Sequence, residues 1–186
     1  MERAVLVTQV RIKLLRKRDR FLYLLVKLRR FLKKGAGVSI SECLDDRLIV
    51  FLDVETRDES LRELVATLDE AHKLKDKEAF YKAIIDREKI VSTGIGLGVA
   101  IPHAKLSSYE DFFIAIGIQS GRGIEWNSLD GSQVHLIFMI GGPDNQQTAY
   151  LNILSRLTAA IKDPERRLSL LNATSAKQVI ELFKEC

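Results

Sequence analysis

The chain has 186 residues, 46% hydrophobic and 29% charged, a balance that suits one well-cored globular domain with some length to spare. Its net charge of +4 hides a division: residues 1–34 hold twelve Lys/Arg against Glu2 and Asp19, +10, while the remaining 152 residues hold 17 bases against 23 acids, −6. The basic charge thus belongs to the N-terminal segment, which excludes a nucleic-acid reading of the body, and with no run of about 18 apolar residues no transmembrane helix is predicted.

From Val10 to Lys34, Leu14, Phe21, Leu25, Leu28 and Leu32 recur at spacings of three, four and seven, predicting a basic amphipathic helix. Gly35-Ala36-Gly37 then reads as a stop and hinge, dividing a 1–37 extension from a 38–186 domain. Such a helix (residues 1–34) can lie on an anionic membrane, contact nucleic acid or dock on a partner. The alternatives are that it packs on its own body or precedes the natural start, although a start near Val38 would need a non-Met codon, since Met139 is the next methionine. Lys27, Arg29 and Arg30 break the apolar run and disfavour a secretory signal.

Beyond the hinge, Arg47 to Leu52 predicts a short strand, and Asp58-Glu59-Ser60 opens a helix carrying Leu61, Leu64, Val65 and Leu68. A second helix is expected from Lys77 to Ile90, with Phe80, Ile84 and Ile85 on one side and Arg87 near its end. Phe112 to Ser120 and Val134 to Ile140 read as strands, with a short extended piece at Ile124-Glu125-Trp126 and a turn over Asn127 to Gly131 between them. A long helix follows from Asn145 with Leu151, Leu154, Leu157 and Ile161 as its stripe, then shorter helices near Glu165–Leu171 and Ser175–Phe183. Helices, then strands, then helices predict an α/β fold, a mixed β-sheet flanked by helices, with the N-terminal helix as an extension.

The most informative stretch lies between those blocks: Ser92-Thr93-Gly94-Ile95-Gly96-Leu97-Gly98-Val99-Ala100-Ile101-Pro102-His103-Ala104-Lys105. Glycines at alternate positions predict a tight loop feeding a buried strand. Pro102 ends that strand and fixes the backbone just before the imidazole. A histidine so placed is largely neutral at pH 7 and can attack as a nucleophile, or it simply hydrogen-bonds locally at a strand end. Gly94-x-Gly96-x-Gly98 lacks both the GxGxxG register and a following Gly-Lys-Ser/Thr, which disfavours a nucleotide loop. His72, His103 and His135 form no paired-ligand spacing, so no metal site is predicted. His135 is expected as a structural histidine inside a strand and His72 as a solvated residue near a helix end. Cys43 and Cys186 are isolated thiols, which points to a reducing, cytoplasmic location.

Arg87-Glu88 followed by STGIGLGVAIPHAK resembles the active-site signature of type-2 enzyme IIA domains, the fructose/mannitol/nitrogen-regulatory branch of the bacterial sugar phosphotransferase system. The likeness runs from about Ser39 to the C-terminus and is strongest to the nitrogen-regulatory members. It implies a protein-histidine phosphotransferase component in which His103 accepts a phosphoryl group from a small phosphocarrier protein (HPr- or NPr-like). It further implies a downstream IIB or regulatory target protein, no cofactor, and a nitrogen-type regulatory role, with a sugar-specific (fructose/mannitol) transport component or an unphosphorylated pseudo-IIA binding module as the alternatives.

Phosphoryl transfer to imidazole needs an unprotonated ring nitrogen and donors for three charged oxygens. Arg87, the hydroxyls of Ser92 and Thr93, and backbone N–H groups of the loop at Gly94 are the candidates, although spacing alone allows Arg87 a surface ion pair instead. The family places a second histidine in a His-Leu-x-x-Leu context. Here the matching text is Tyr150-Leu151-Asn152-Ile153-Leu154, so Tyr150 stands in its place with a phenol that donates one hydrogen bond and carries no positive charge.

Overall fold

A computed structural model describes residues 38–184. The amphipathic helix expected within 1–37, and Cys186, lie outside those residues.

The first elements are a helical turn, α1 (Ile40–Cys43), a 3₁₀ turn at Asp46–Leu48, and strand β1 (Ile49–Leu52). Arg47 and Leu48, expected in the strand, belong to that turn, because the Asp45 side chain accepts from the Arg47 N–H and closes it. Helix α2 (Arg57–Glu70) starts at a reciprocal capping box, with the Thr56 hydroxyl accepting from the Glu59 N–H and the Glu59 carboxylate accepting from the Thr56 N–H. It ends where His72 takes a left-handed conformation (φ 55°). The Lys73 N–H then reaches the Leu68 carbonyl and the His72 N–H reaches that of Asp69. Helix α3 (Lys77–Ile90) matches the expected bounds, with the Asp76 side chain accepting from the Ala79 N–H at its start.

Strands β2 (Gly94–Gly96), β3 (Val99–Ala100), β4 (His103–Lys105), β5 (Phe113–Gln119) and β6 (Leu136–Gly142) join β1 in one mixed sheet, in the order β1-β5-β6-β3-β2. Central β5 and β6 are antiparallel, Ala115 facing Met139, and every residue of both is buried. The other flank of β6 carries β3 and then β4, both parallel to it, with Val99 opposite Leu136 and His103 opposite Ile140. Pro102 interrupts this edge, its carbonyl still accepting from the Ile140 N–H. His103 therefore opens a short strand rather than closing one. His135 is half-buried and lies just ahead of β6, not inside a strand, while His72 is exposed as expected.

One face of the sheet packs Ala115, Ile137 and Met139 against Leu61, Leu64 and Leu68 of α2 and Phe80 and Ile84 of α3. Alternate residues of the same strands face the other way, where Phe138 meets Phe183 edge-on with ring centroids 6.0 Å apart. Helices α4 (Gln147–Lys162), α5 (Pro164–Leu171) and α6 (Ala176–Glu181) complete the order. The buried stripe of α4 is Tyr150, Ile153, Leu157, Ala160 and Ile161. Leu151, expected on that stripe, is exposed, because the helix turns Tyr150 and Ile153 to the sheet instead.

Candidate functional site

The segment after α3 returns over the sheet through β2 and β3, so the end of α3 and the start of β4 stand side by side. Arg87, in the last turn of α3, donates from Nε to His103 Nε2 at 3.0 Å and from Nη1 to the Val91 carbonyl at 2.9 Å. His103 Nδ1 lies 2.9 Å from the Ile101 carbonyl oxygen. A carbonyl only accepts and a guanidinium only donates, so the proton sits on Nδ1 and the lone pair on Nε2. Burial holds the His103 pKa below its ordinary value. The hydrogen bond to Ile101 opposes that shift, the charges of Arg87 and Lys105 reinforce it, and Glu88 opposes it more weakly. The neutral ring is thus favoured, with the lone pair of Nε2 presented to Arg87.

His103 opens into a cavity of about 340 Å³, mainly apolar, whose walls include Arg87, Ser92, Ile95, Leu97 and Leu154. Leu97 is exposed and sits in the left-handed region (φ 59°) between Gly96 (φ 90°) and Gly98 (φ 73°), so the turn lifts an apolar side chain to the rim. The Tyr150 ring is buried beside the imidazole, centroids 5.5 Å apart and tilted by 41°. Burial also raises its phenol pKa, with Arg87 opposing the shift.

The expected phosphate cradle is only partly present. The Thr93 hydroxyl donates to Glu88 Oε2 at 2.6 Å and its N–H to Glu88 Oε1 at 3.0 Å, so both point into the interior. The Gly94 N–H donates to Ser92 Oγ, which itself donates to the Trp126 carbonyl at 2.6 Å. Further along, the Leu97 N–H is held by Asp130 Oδ2 and the Gly98 N–H by Ser132 Oγ. The loop spends these donors on shaping itself.

Sequence reasoning missed the group that organises this loop. Glu88 is buried and accepts from Thr93 twice and from Trp126 Nε1 at 3.0 Å, with Arg57 Nη1 3.6 Å away. Its adjacency to Arg87 was the available signal: successive helix positions about 100° apart send one side chain to the imidazole and the other inward. Among the described residues no group of three His, Cys, Asp or Glu gathers to hold a metal.

Residues 42–186 match the family described as "Phosphoenolpyruvate-dependent sugar phosphotransferase system, EIIA 2". The chain belongs to that family. Its EIIA relatives include both transport components and regulators. It is 39% identical over 150 residues to the PTS system fructose-specific EIIABC component of Bacillus subtilis, covering 80% of this chain but 23% of that protein. It is 28% identical over 138 residues to a nitrogen regulatory protein of Bradyrhizobium diazoefficiens, covering 74% of this chain and 89% of that one. The EIIA fold agrees with the crystal structure of nitrogen regulatory protein IIA-Ntr from Neisseria meningitidis, with a TM-score of 0.72 and 28% identity over 77% of this chain and 98% of that one. As an EIIA domain the chain is thus a component of a phosphotransferase system, and no described helix is long and apolar enough to cross a membrane.

Proposed function

We propose that this EIIA domain, residues 38–186, is a phosphoryl relay in which His103 Nε2 is the acceptor. The observation that carries this is the double constraint on the imidazole, the Ile101 carbonyl on Nδ1 and Arg87 on Nε2. In the relay, the Nε2 lone pair forms a new N–P bond while the P–N bond of a phosphohistidine on a small carrier protein breaks, its electron pair returning to the donor's ring. No proton leaves His103. The positive charge that develops on its ring is stabilised by Nδ1–H donating to Ile101, and Arg87 turns its donors to the phosphoryl oxygens. Ser92, Thr93 and Gly94 act by holding the loop, since their donors are committed within it. The apolar rim at Ile95, Leu97 and Leu154 suits a protein surface as phosphodonor better than a small polar molecule.

Onward transfer runs to a IIB partner or a regulatory target. The nitrogen-regulatory reading rests on relatives matched over nearly their whole length. A fructose-type transport role is the second reading, favoured by the 39% identity to the Bacillus component. The test is incubation with phosphoenolpyruvate, enzyme I and either a nitrogen-type or a sugar-type carrier, followed by intact mass in alkali. One acid-labile phosphate, absent in His103→Ala, is the expected result, and the faster carrier separates the two roles. A folded protein that takes no phosphate from either carrier overturns the relay.

A further inference from the structure

His103 and Lys105 are the first and last residues of β4, with Ala104 buried between them. Side chains alternate along a strand, so imidazole and ammonium leave the same face about 7 Å apart at the backbone. Lys105 is not a loose surface cation. Its Nζ donates to Gln147 Oε1 at 2.6 Å and stands 4.6 Å from the centroid of the Tyr150 ring. Gln147 and Tyr150 are three apart in the first turns of α4 and so form a two-point seat on one helix face. That same Tyr150 ring stands beside His103.

We propose that Lys105, seated on Tyr150 and Gln147, is the second cation of the phosphoryl site, working beside Arg87. The inference rests on His103 as acceptor. A phosphoryl group on Nε2 carries close to two negative charges, and the Thr93 and Gly94 donors are committed elsewhere. The Tyr150 phenol supplies no charge, so compensation falls to cations: the guanidinium, this ammonium one strand position beyond Ala104, and Lys162, which also lines the His103 cavity. Tyr150 is then a positioning residue: its ring face, rather than its hydroxyl, keeps Lys105 within reach of His103. The Lys105 charge is already felt at the imidazole in the unphosphorylated chain, together with those of Arg87 and Glu88.

Chemical loading tests this without a partner protein. The full chain is phosphorylated with phosphoramidate, and the ³¹P signal absent in His103→Ala is followed as it decays at pH 8. The loose transition state of hydrolysis carries less charge on the outer oxygens than the phosphohistidine does, so removing a cation there shortens the lifetime. Lys105→Met is expected to shorten it roughly tenfold, the scale of one charge-assisted hydrogen bond. Lys105→Arg restores most of it, Tyr150→Leu matches Lys105→Met, and Tyr150→Phe loses less than Tyr150→Leu. Lys162→Met, which removes a cation lining the His103 cavity but leaves the Tyr150 seat intact, costs less than Lys105→Met. An unchanged lifetime in Lys105→Met, or an equal loss in Lys162→Met, overturns the inference. Carrier-dependent uptake by the unmodified chain is measured separately. Its absence, with the Lys105 effect intact, defeats the relay and leaves the seat, and failure to load His103 at all defeats both.

Discussion

Arg87 and His103, sixteen positions apart, share a hydrogen bond from Nε to Nε2 at 3.0 Å, so the cation that would bind a phosphoryl group is already parked on the nitrogen that would receive it. The same contact is one of the forces keeping the ring neutral, after burial itself.

The imidazole should therefore titrate below its ordinary 6.5. Its neutral form is favoured by folding, so this group's stabilising contribution is present above pH 6.5 and is lost as pH falls through the folded midpoint. NMR titration of the His103 ring should show a midpoint below 6.5, and Arg87→Ala should move it upward without fully restoring it, since burial remains. Phosphoryl uptake in Arg87→Ala should drop about 10²-fold or more, by analogy with the loss of one preorganised oxyanion donor. A midpoint above 6.5 would contradict the described environment.

Glu88→Gln keeps the shape of the buried carboxyl but removes the charge that Thr93, Trp126 and Arg57 address. Breaking such a buried, multiply bonded group costs about 3 kcal/mol, and urea unfolding should show a loss of that order. Because Thr93 and Trp126 anchor the loop, phosphoryl uptake should fall in the same variant while still folded. Wild-type stability would show that Glu88 does not organise this loop.

Leu97 is a bulky residue at φ 59° with 53% of its surface exposed, so its backbone energy cost is offset by only partial burial. Leu97→Asn should leave stability unchanged or raise it by up to about 1 kcal/mol, since Asn tolerates the left-handed region. The same change should raise the KM for the phosphocarrier, because the rim loses an apolar contact. Thermal melts and steady-state uptake check the two halves, and an unaltered KM would remove Leu97 from the docking rim.

Cys43 is buried, and burial pushes its thiol from 9.0 up to about 12, with Glu42 and Asp111 adding to the shift. Folding thus favours the protonated thiol, a stabilisation present in full below pH 9 and lost as pH rises toward 12. Alkylation at pH 8 followed by peptide mass mapping should leave the Cys43 peptide unmodified until denaturant is added.

Local chemistry decided much of this protein in advance. The Asp76 cap and the apolar spacing of Phe80 and Ile84 are enough to set α3, because helix signals act within a turn or two. The alternation of glycines before Pro102-His103 likewise marked the candidate nucleophile from neighbouring residues alone. What the sequence could not carry is which distant groups meet. Thr93 hydroxyl chemistry was available to a phosphate or to Glu88, and only the packing of Trp126 against α3 turned it inward. Residues 87 and 103 come together through a β2–β3 return, and 105 and 150 through the docking of α4 on the sheet edge. Side-chain type and spacing write secondary structure, but the Arg87 contact on His103 Nε2, the commitment of Thr93 to a Glu88 shared with Trp126 and the seating of Lys105 depend on long-range proximity, which tertiary packing alone supplies.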